Sequence, residues 1–167
     1  MNSSKNLNHY VSLYKEQLQK GDILIAYNQL VKFVMEMRVR LIKNLSDDYS
    51  FSGILYGYLD YTYFYYQNVF LKSKKLKLGL VLNHVEMQFE IWLLGNTKPV
   101  QSQFWDLLKD SKWNKDKEQM PEYSILESVI VLDPDFDKLD SLANDIEQLL
   151  ITESKEIIDA VEGLNQK

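Results

Sequence analysis

The chain has 167 residues, of which 46% are hydrophobic and 26% charged, with a net charge of −5 and a sequence pI near 5.1. This length suits one domain, 1–167, whose core needs neither disulfide nor structural metal, and the absence of cysteine excludes a disulfide framework, a thiolate zinc site and a cysteine nucleophile. The acidic balance lacks the basic footprint of a general nucleic-acid binder. No apolar stretch reaches signal-peptide length or the roughly 20 residues of a spanning helix, so a soluble cytoplasmic protein with no membrane partner is expected.

In chain order, Leu7, Val11, Tyr14 and Leu18 recur at helical spacing and predict a first helix over 7–20. Gly21 suits a left-handed C-terminal cap, and Asp22 is placed to cap a second helix. That helix carries Ile23, Tyr27, Leu30, Val34, Met37 and Leu41 on one stripe down to about Asn44. The two helices are expected to pack as an antiparallel pair. Residues 45–53 read as a loop, and 54–64 as an aromatic strand with Tyr56, Tyr58, Asp60 and Thr62 on one face. A short helix over 66–74 would bury Val69 and Phe70. The nearby Lys72, Lys74, Lys75 and Lys77 read as solvated surface.

Residues 76–94, LKLGLVLNHVEMQFEIWLL, are the centre of the expected fold. Strand side chains alternate faces. Leu76, Leu78, Leu80 and Leu82 share one face, as do Met87, Phe89, Ile91 and Leu93. A two-residue turn at Asn83-His84 would pair Leu80 with Met87, Leu78 with Phe89 and Leu76 with Ile91, although a four-residue loop also suits this sequence. The opposite face would then pair Val81 with Glu86, Gly79 with Gln88 and Lys77 with Glu90, with Trp92 opposite Lys75. Downstream, Pro99 fits the first turn of a helix bearing Val100, Phe104, Leu107 and Leu108. Residues 111–123 form a polar loop around Trp113 and Pro121, 124–132 a strand, and 137–162 a long final helix. The order predicts an α+β fold: an antiparallel or mixed sheet of about four strands with helices on its apolar face.

No P-loop, GxGxxG, GxSxG or HExxH occurs. The two histidines, His9 and His84, make a poor zinc set without cysteine, even with Glu86 beside His84. No cofactor is therefore expected. The compositional outlier is tyrosine, with 11 residues, many of them between Tyr49 and Phe70. A tyrosine ring seeks burial while its hydroxyl seeks a partner, which suits a half-buried sheet, an interface or a pocket. The candidate site is the polar sheet face. Tyr56, Tyr58, Glu86 and Trp92 are its expected binding residues, and Asp60, Glu90 and Lys77 are a catalytic alternative in which carboxylates hold metal or act as acid and base.

Two resemblances bear on this reading. The helix–strand–strand–strand–helix–strand order resembles the PD-(D/E)xK nuclease-like core, which places an Asp on its second strand and Glu-x-Lys on its third. Here Glu90-Ile91-Trp92 puts tryptophan in the lysine position and the second strand has no Asp, so Lys77 and Asp60 would have to substitute. That resemblance implies a metal-dependent hydrolase or an inactive relative. Asp60-Tyr61-Thr62-Tyr63-Phe64, the run Glu86 to Leu93, and Lys112-Trp113-Asn114 resemble segments of a family of small bacterial proteins with no assigned activity. That similarity covers most of the chain and implies a bacterial cytoplasmic origin. The expectation is a non-catalytic domain that binds a small molecule or protein on an aromatic, acidic face, or that uses this face as a homo-oligomer interface.

Overall fold

The computed structural model describes residues 6–164. The expectations for the extreme N-terminus, 1–5, and for 165–167 lie outside the described residues. Helix α1, Leu7–Lys20, begins where the Asn6 side chain accepts the His9 amide at 3.1 Å and ends at Gly21, whose φ of 84° is left-handed. Helix α2, Asp22–Leu45, starts at once, with Gly21 itself in the capping position and no side-chain cap. Asp22 is thus the first residue of α2 rather than its cap. A single residue, Gly21, joins the two helices and leaves no separate capping position. Helix α2 buries Val31, Phe33, Val34, Met37 and Leu41, whereas Ile23 at the head of the expected stripe is exposed. Helix α1 contributes no buried residue.

Six strands follow: β1 Ser50–Phe51, β2 Leu55–Tyr56, β3 Tyr61–Gln67, β4 Leu76–Asn83, β5 Gln88–Gly95 and β6 Leu126–Leu132. Helices α3 (Val69–Ser73), α4 (Lys98–Leu108) and α5 (Leu139–Gly163) intervene or close the chain. The sheet order is β1-β3-β4-β5-β6, with β2 also on β3, and every pairing is antiparallel. The fold is α+β, with two N-terminal helices and a long C-terminal one, as its sequence predicts, but with six strands in place of about four. The difference lies at one edge. The strand expected over 54–64 breaks at Gly57–Asp60 and folds back on itself. Its first part, β2, joins β1 as an interrupted edge strand along β3. Helix α3 buries Leu71 instead of Val69, which is exposed, while Phe70 is half-buried.

The central hairpin keeps the expected faces but not the expected register. Leu80 pairs with Ile91, Leu78 with Leu93 and Leu82 with Phe89. Leu80 therefore meets a residue four places beyond Met87. An even slide leaves every side chain on its own face. The cause is local. The Asn83 side chain accepts the amides of Val85 and Glu86, each at 3.1 Å, so Asn83 ends β4 and the loop takes residues 84–87. Met87 leaves that loop at a φ of 50°.

One face of the sheet is the core. Leu76, Leu78, Leu80, Leu82, Phe89, Ile91 and Leu93 are fully buried against α2, α4 and α5. Each such burial stabilises the fold by about 1.5–3 kcal/mol. Strand β3 adds Phe64 and Tyr66, and the Tyr66 hydroxyl reaches the buried Ser154 of α5 at 2.8 Å. Arg40 and Asn44 of α2 bond the buried Glu147 carboxylate of α5 at 2.5 and 2.6 Å, which joins the two long helices. No described helix is long and apolar enough to cross a membrane.

Candidate functional site

The opposite face of the sheet is built from the alternate residues of the same strands. Strand β3 reads Tyr61-Thr62-Tyr63-Phe64-Tyr65-Tyr66, and its burial alternates along its length. Thr62, Phe64 and Tyr66 go to the core; Tyr61, Tyr63 and Tyr65 pack on a second, small cluster of Val81, Trp92 and Leu94. The pairings Tyr63↔Val81, Tyr65↔Gly79, Gly79↔Trp92 and Val81↔Glu90 set these residues side by side. Gly79 has no side chain, so Tyr65 and Leu94 close over it: an added Cβ would lie 3.5 Å from the Tyr65 ring.

The turn that breaks the expected strand forms one wall. Asp60 Oδ1 accepts the amides of Tyr58 and Tyr61, both at 2.7 Å, and the Gly57 amide donates to the Tyr61 carbonyl at 2.8 Å. Only glycine fits at 57, because a Cβ there would sit 2.1 Å from Asp60 Oδ1 and 2.5 Å from the Tyr61 carbonyl oxygen. Leu59 takes a φ of 66° within this turn. The turn displays Tyr58, which is 98% exposed.

Between turn and sheet lies a cavity of about 280 Å³. Six tyrosines line it (Tyr56, Tyr58, Tyr61, Tyr63, Tyr65 and Tyr123), together with Trp92, Leu94, Gly57 and Asp60. Tyr61 stands edge-on to Trp92 with ring centres 4.9 Å apart and edge-on to Tyr123 at 6.5 Å. On the same face but outside the cavity lining, Lys77 Nζ sits 3.9 Å above the centre of the Tyr65 ring. Burial pushes the Lys77 ammonium below its ordinary pKa. Burial pushes the Tyr65 phenol up to about 12, with a further contribution from the neighbouring Tyr63.

Beneath the rings lies Glu90, which is 4% exposed. Trp92 Nε1 donates to one of its oxygens at 2.6 Å, and Gln88 and Asn83 donate to the other at 2.6 and 3.0 Å. Both carboxyl oxygens thus accept hydrogen bonds, and all three donors are neutral. Glu90 makes no ion pair among the described residues. Burial raises the Tyr61 phenol pKa, and the charges of Glu90, Glu127 and Asp60 raise it further.

Of the residues singled out in the sequence, Tyr56, Tyr58, Asp60 and Trp92 line this one cavity. Glu86 is exposed in the loop between β4 and β5. The expected Lys77–Glu90 pair is not formed: Lys77 lies opposite Leu94 and Glu90 opposite Val81. Four residues of strand separate them, roughly 13 Å at the rise of an extended chain. Among the described residues, no group of three or more His, Asp or Glu is placed to hold a metal ion. The second histidine, His84, is occupied within the fold, with its Nε2 2.8 Å from the buried Thr62 hydroxyl.

Alternation along 54–64 predicts Tyr61 and Tyr63 on the face away from Tyr56 and Tyr58, and the expected site lacks Tyr65, Leu94 and Tyr123, which the cavity includes. The period-two run from Tyr61 to Tyr66 carried the signal for the β3 tyrosines once Gly57 and Asp60 were read as a turn. Tyr123 arrives from the 111–123 loop with no local pattern to announce it.

The chain belongs to the DUF7000 family. Its match to this domain of unknown function spans residues 7–161. No curated protein and no solved structure matches the chain. The DUF7000 match thus takes in both N-terminal helices, the whole sheet and almost all of α5.

Proposed function

We propose that this DUF7000 domain is a non-catalytic binding module that takes a small organic ligand on the open face of its sheet. The observation that carries this reading is the cavity of about 280 Å³ walled by six tyrosines and Trp92. Its size lies at the lower end of the roughly 300–1,000 Å³ of small-molecule sites and suits a compact ligand or the head of a longer one. The rings of Tyr61, Tyr63, Tyr65 and Trp92, packed on the sheet, offer large contact area at little entropic cost. Tyr56, Tyr58 and Tyr123 are more than half exposed, so they line the cavity without being needed to fill the core. The carboxylates and Lys77 are spread along the face rather than gathered at one reacting atom, which favours recognition over catalysis. A bacterial cytoplasmic setting rests on the sequence resemblance and on the absence of cysteine.

A fragment screen by protein NMR tests the proposal. Binding fragments are expected to move the Trp92 indole signal and the amides of Tyr58 and Tyr61. Fragments that instead gather at the apolar cavity beside Phe33, Met87 and Phe136, or a screen with no binder at all, would overturn it.

A further inference from the structure

The charge around the aromatic cavity points to a ligand class. We propose that the cavity accepts an organic ammonium group, an inference that rests on the binding reading above and makes it specific. Three independent features support it. The first is chemical: the ring faces of tyrosine and tryptophan attract cations, and this sheet face already binds one, since Lys77 Nζ stands 3.9 Å over Tyr65. The rings of Tyr61 and Trp92 lie further along the same face, where Tyr58 and Tyr123 also line the cavity.

The second feature is an unneutralised charge. A buried carboxylate ordinarily has a cationic partner. Glu90 is buried, its three donors are neutral, and it makes no ion pair among the described residues. It touches the cavity through Trp92, whose indole N–H it holds. A cation seated on the rings would supply the missing opposite charge.

The third feature is the rim. Asp60 lines the cavity and makes no ion pair among the described residues; both of its turn bonds use Oδ1. Glu127, beside Trp92 in the sheet, has Lys117 Nζ 3.6 Å away, an ion pair too long for a hydrogen bond. The neighbouring Glu122 raises the Tyr123 phenol pKa. Burial is the main cause of the rise in the Tyr61 phenol pKa, and the charges of Glu90, Glu127 and Asp60 add to it. Anionic ligands would meet these charges as repulsion, and neutral apolar ones would leave them unused.

The test compares choline with 3,3-dimethylbutan-1-ol, its neutral isostere, by NMR titration of the whole chain at low salt. Choline is expected to shift the Trp92 indole and the amides of residues 56–65, and to bind about tenfold or more tighter than the isostere. Its affinity is expected to fall as salt rises. Asp60→Asn, which keeps the turn-forming oxygen, should weaken choline but not the isostere. A blocked lysine amide separates two sources of the same chemistry. Tighter binding than choline assigns the ammonium to a partner protein, and weaker binding assigns it to a small molecule. Equal affinity for choline and the isostere would overturn the charge inference and leave the binding reading standing. Choline shifts absent while neutral fragments still move Trp92 would do the same. If neither choline nor any fragment moves Trp92, both proposals fail.

Discussion

Tyr65 and Tyr66 are neighbours on one strand and meet opposite fates. Tyr66 is fully buried on the helix-covered face, where its hydroxyl pairs with Ser154 and its ring stacks near Phe51 and Tyr49. Tyr65 lies on the open face under Lys77, beside Tyr63. The same contrast runs across the sheet. Leucines, Phe89 and Ile91 on one side are sealed by α2, α4 and α5. Among the described residues, the apolar cluster on the other side is made of strand residues alone. A sheet with one covered and one open face needs only the first for its stability. A second face dense in aromatic rings and bearing a buried, unpaired carboxylate is costlier than a plain solvated face, and that cost is the physical argument for a ligand.

The largest expected break in this comparison is Leu80→Ala on the covered face. It should cost about 2–5 kcal/mol in urea unfolding, because it opens a cavity among side chains that cannot collapse around it. Next comes the link between the two long helices. Burial alone would raise the Glu147 carboxyl, but the Asn44 and Arg40 hydrogen bonds and the Arg40 charge outweigh it and hold the pKa below its usual value of 4.5. The folded state therefore holds its proton less tightly than the unfolded chain. The stabilisation is present above pH 4.5 and is lost as pH falls through the folded pKa. Glu147→Gln should cost about 1–2 kcal/mol at pH 7, an estimate lowered by the partial exposure of Arg40, and the gap from the parent should close at pH 3.

Smaller effects sharpen the contrast between the tyrosines. Tyr66→Phe removes one buried hydrogen bond and should cost about 1 kcal/mol. Burial raises the Tyr66 phenol far above its usual 10.0, so folding retains its proton, and stability is full below pH 10 and falls as pH rises beyond it. Alkaline unfolding should move to higher pH in Tyr66→Phe. Tyr65, pushed up to about 12, should ionise late in an ultraviolet titration. His84 acts at the other end of the scale. Burial lowers its pKa below 6.5, partly offset by Asp60, and its Nε2 meets Thr62. The folded chain prefers the neutral ring, so stability should rise with pH between the folded pKa and 6.5 and level off above it. Urea midpoints at pH 5 and pH 7.5 would show this, and His84→Asn should flatten the profile.

The sequence disclosed what periodicity controls. The stripe through Val34, Met37 and Leu41 and the alternation through Leu76–Leu82 and Phe89–Leu93 fixed the buried side of α2, the two central strands and the faces of their residues. It left open what side-chain bonds to the backbone decide, including the choice between a two- and a four-residue loop after Asn83. Asn83 takes the Val85 and Glu86 amides and sets a four-residue loop, which moves Glu90 away from Lys77. Asp60 takes the Tyr58 and Tyr61 amides and turns one long strand into a hairpin. Both events shaped the candidate site, because one undid its expected ion pair and the other built its wall. The loop that carries Tyr123 has a placement set by tertiary packing, including the Trp113 indole bonded to Glu153 of α5 at 2.5 Å and the Asn114 amide bonded to the Ile125 carbonyl at 3.0 Å.

The most direct test pairs stability with binding in one variant, Tyr58→Ala/Tyr123→Ala, at two exposed rings of the cavity. The account predicts an unfolding free energy within about 0.5 kcal/mol of the parent, as for surface positions, and an affinity for choline reduced about tenfold or more. Unchanged affinity with lost stability would contradict it, since the rings would then belong to the fold and not to a ligand.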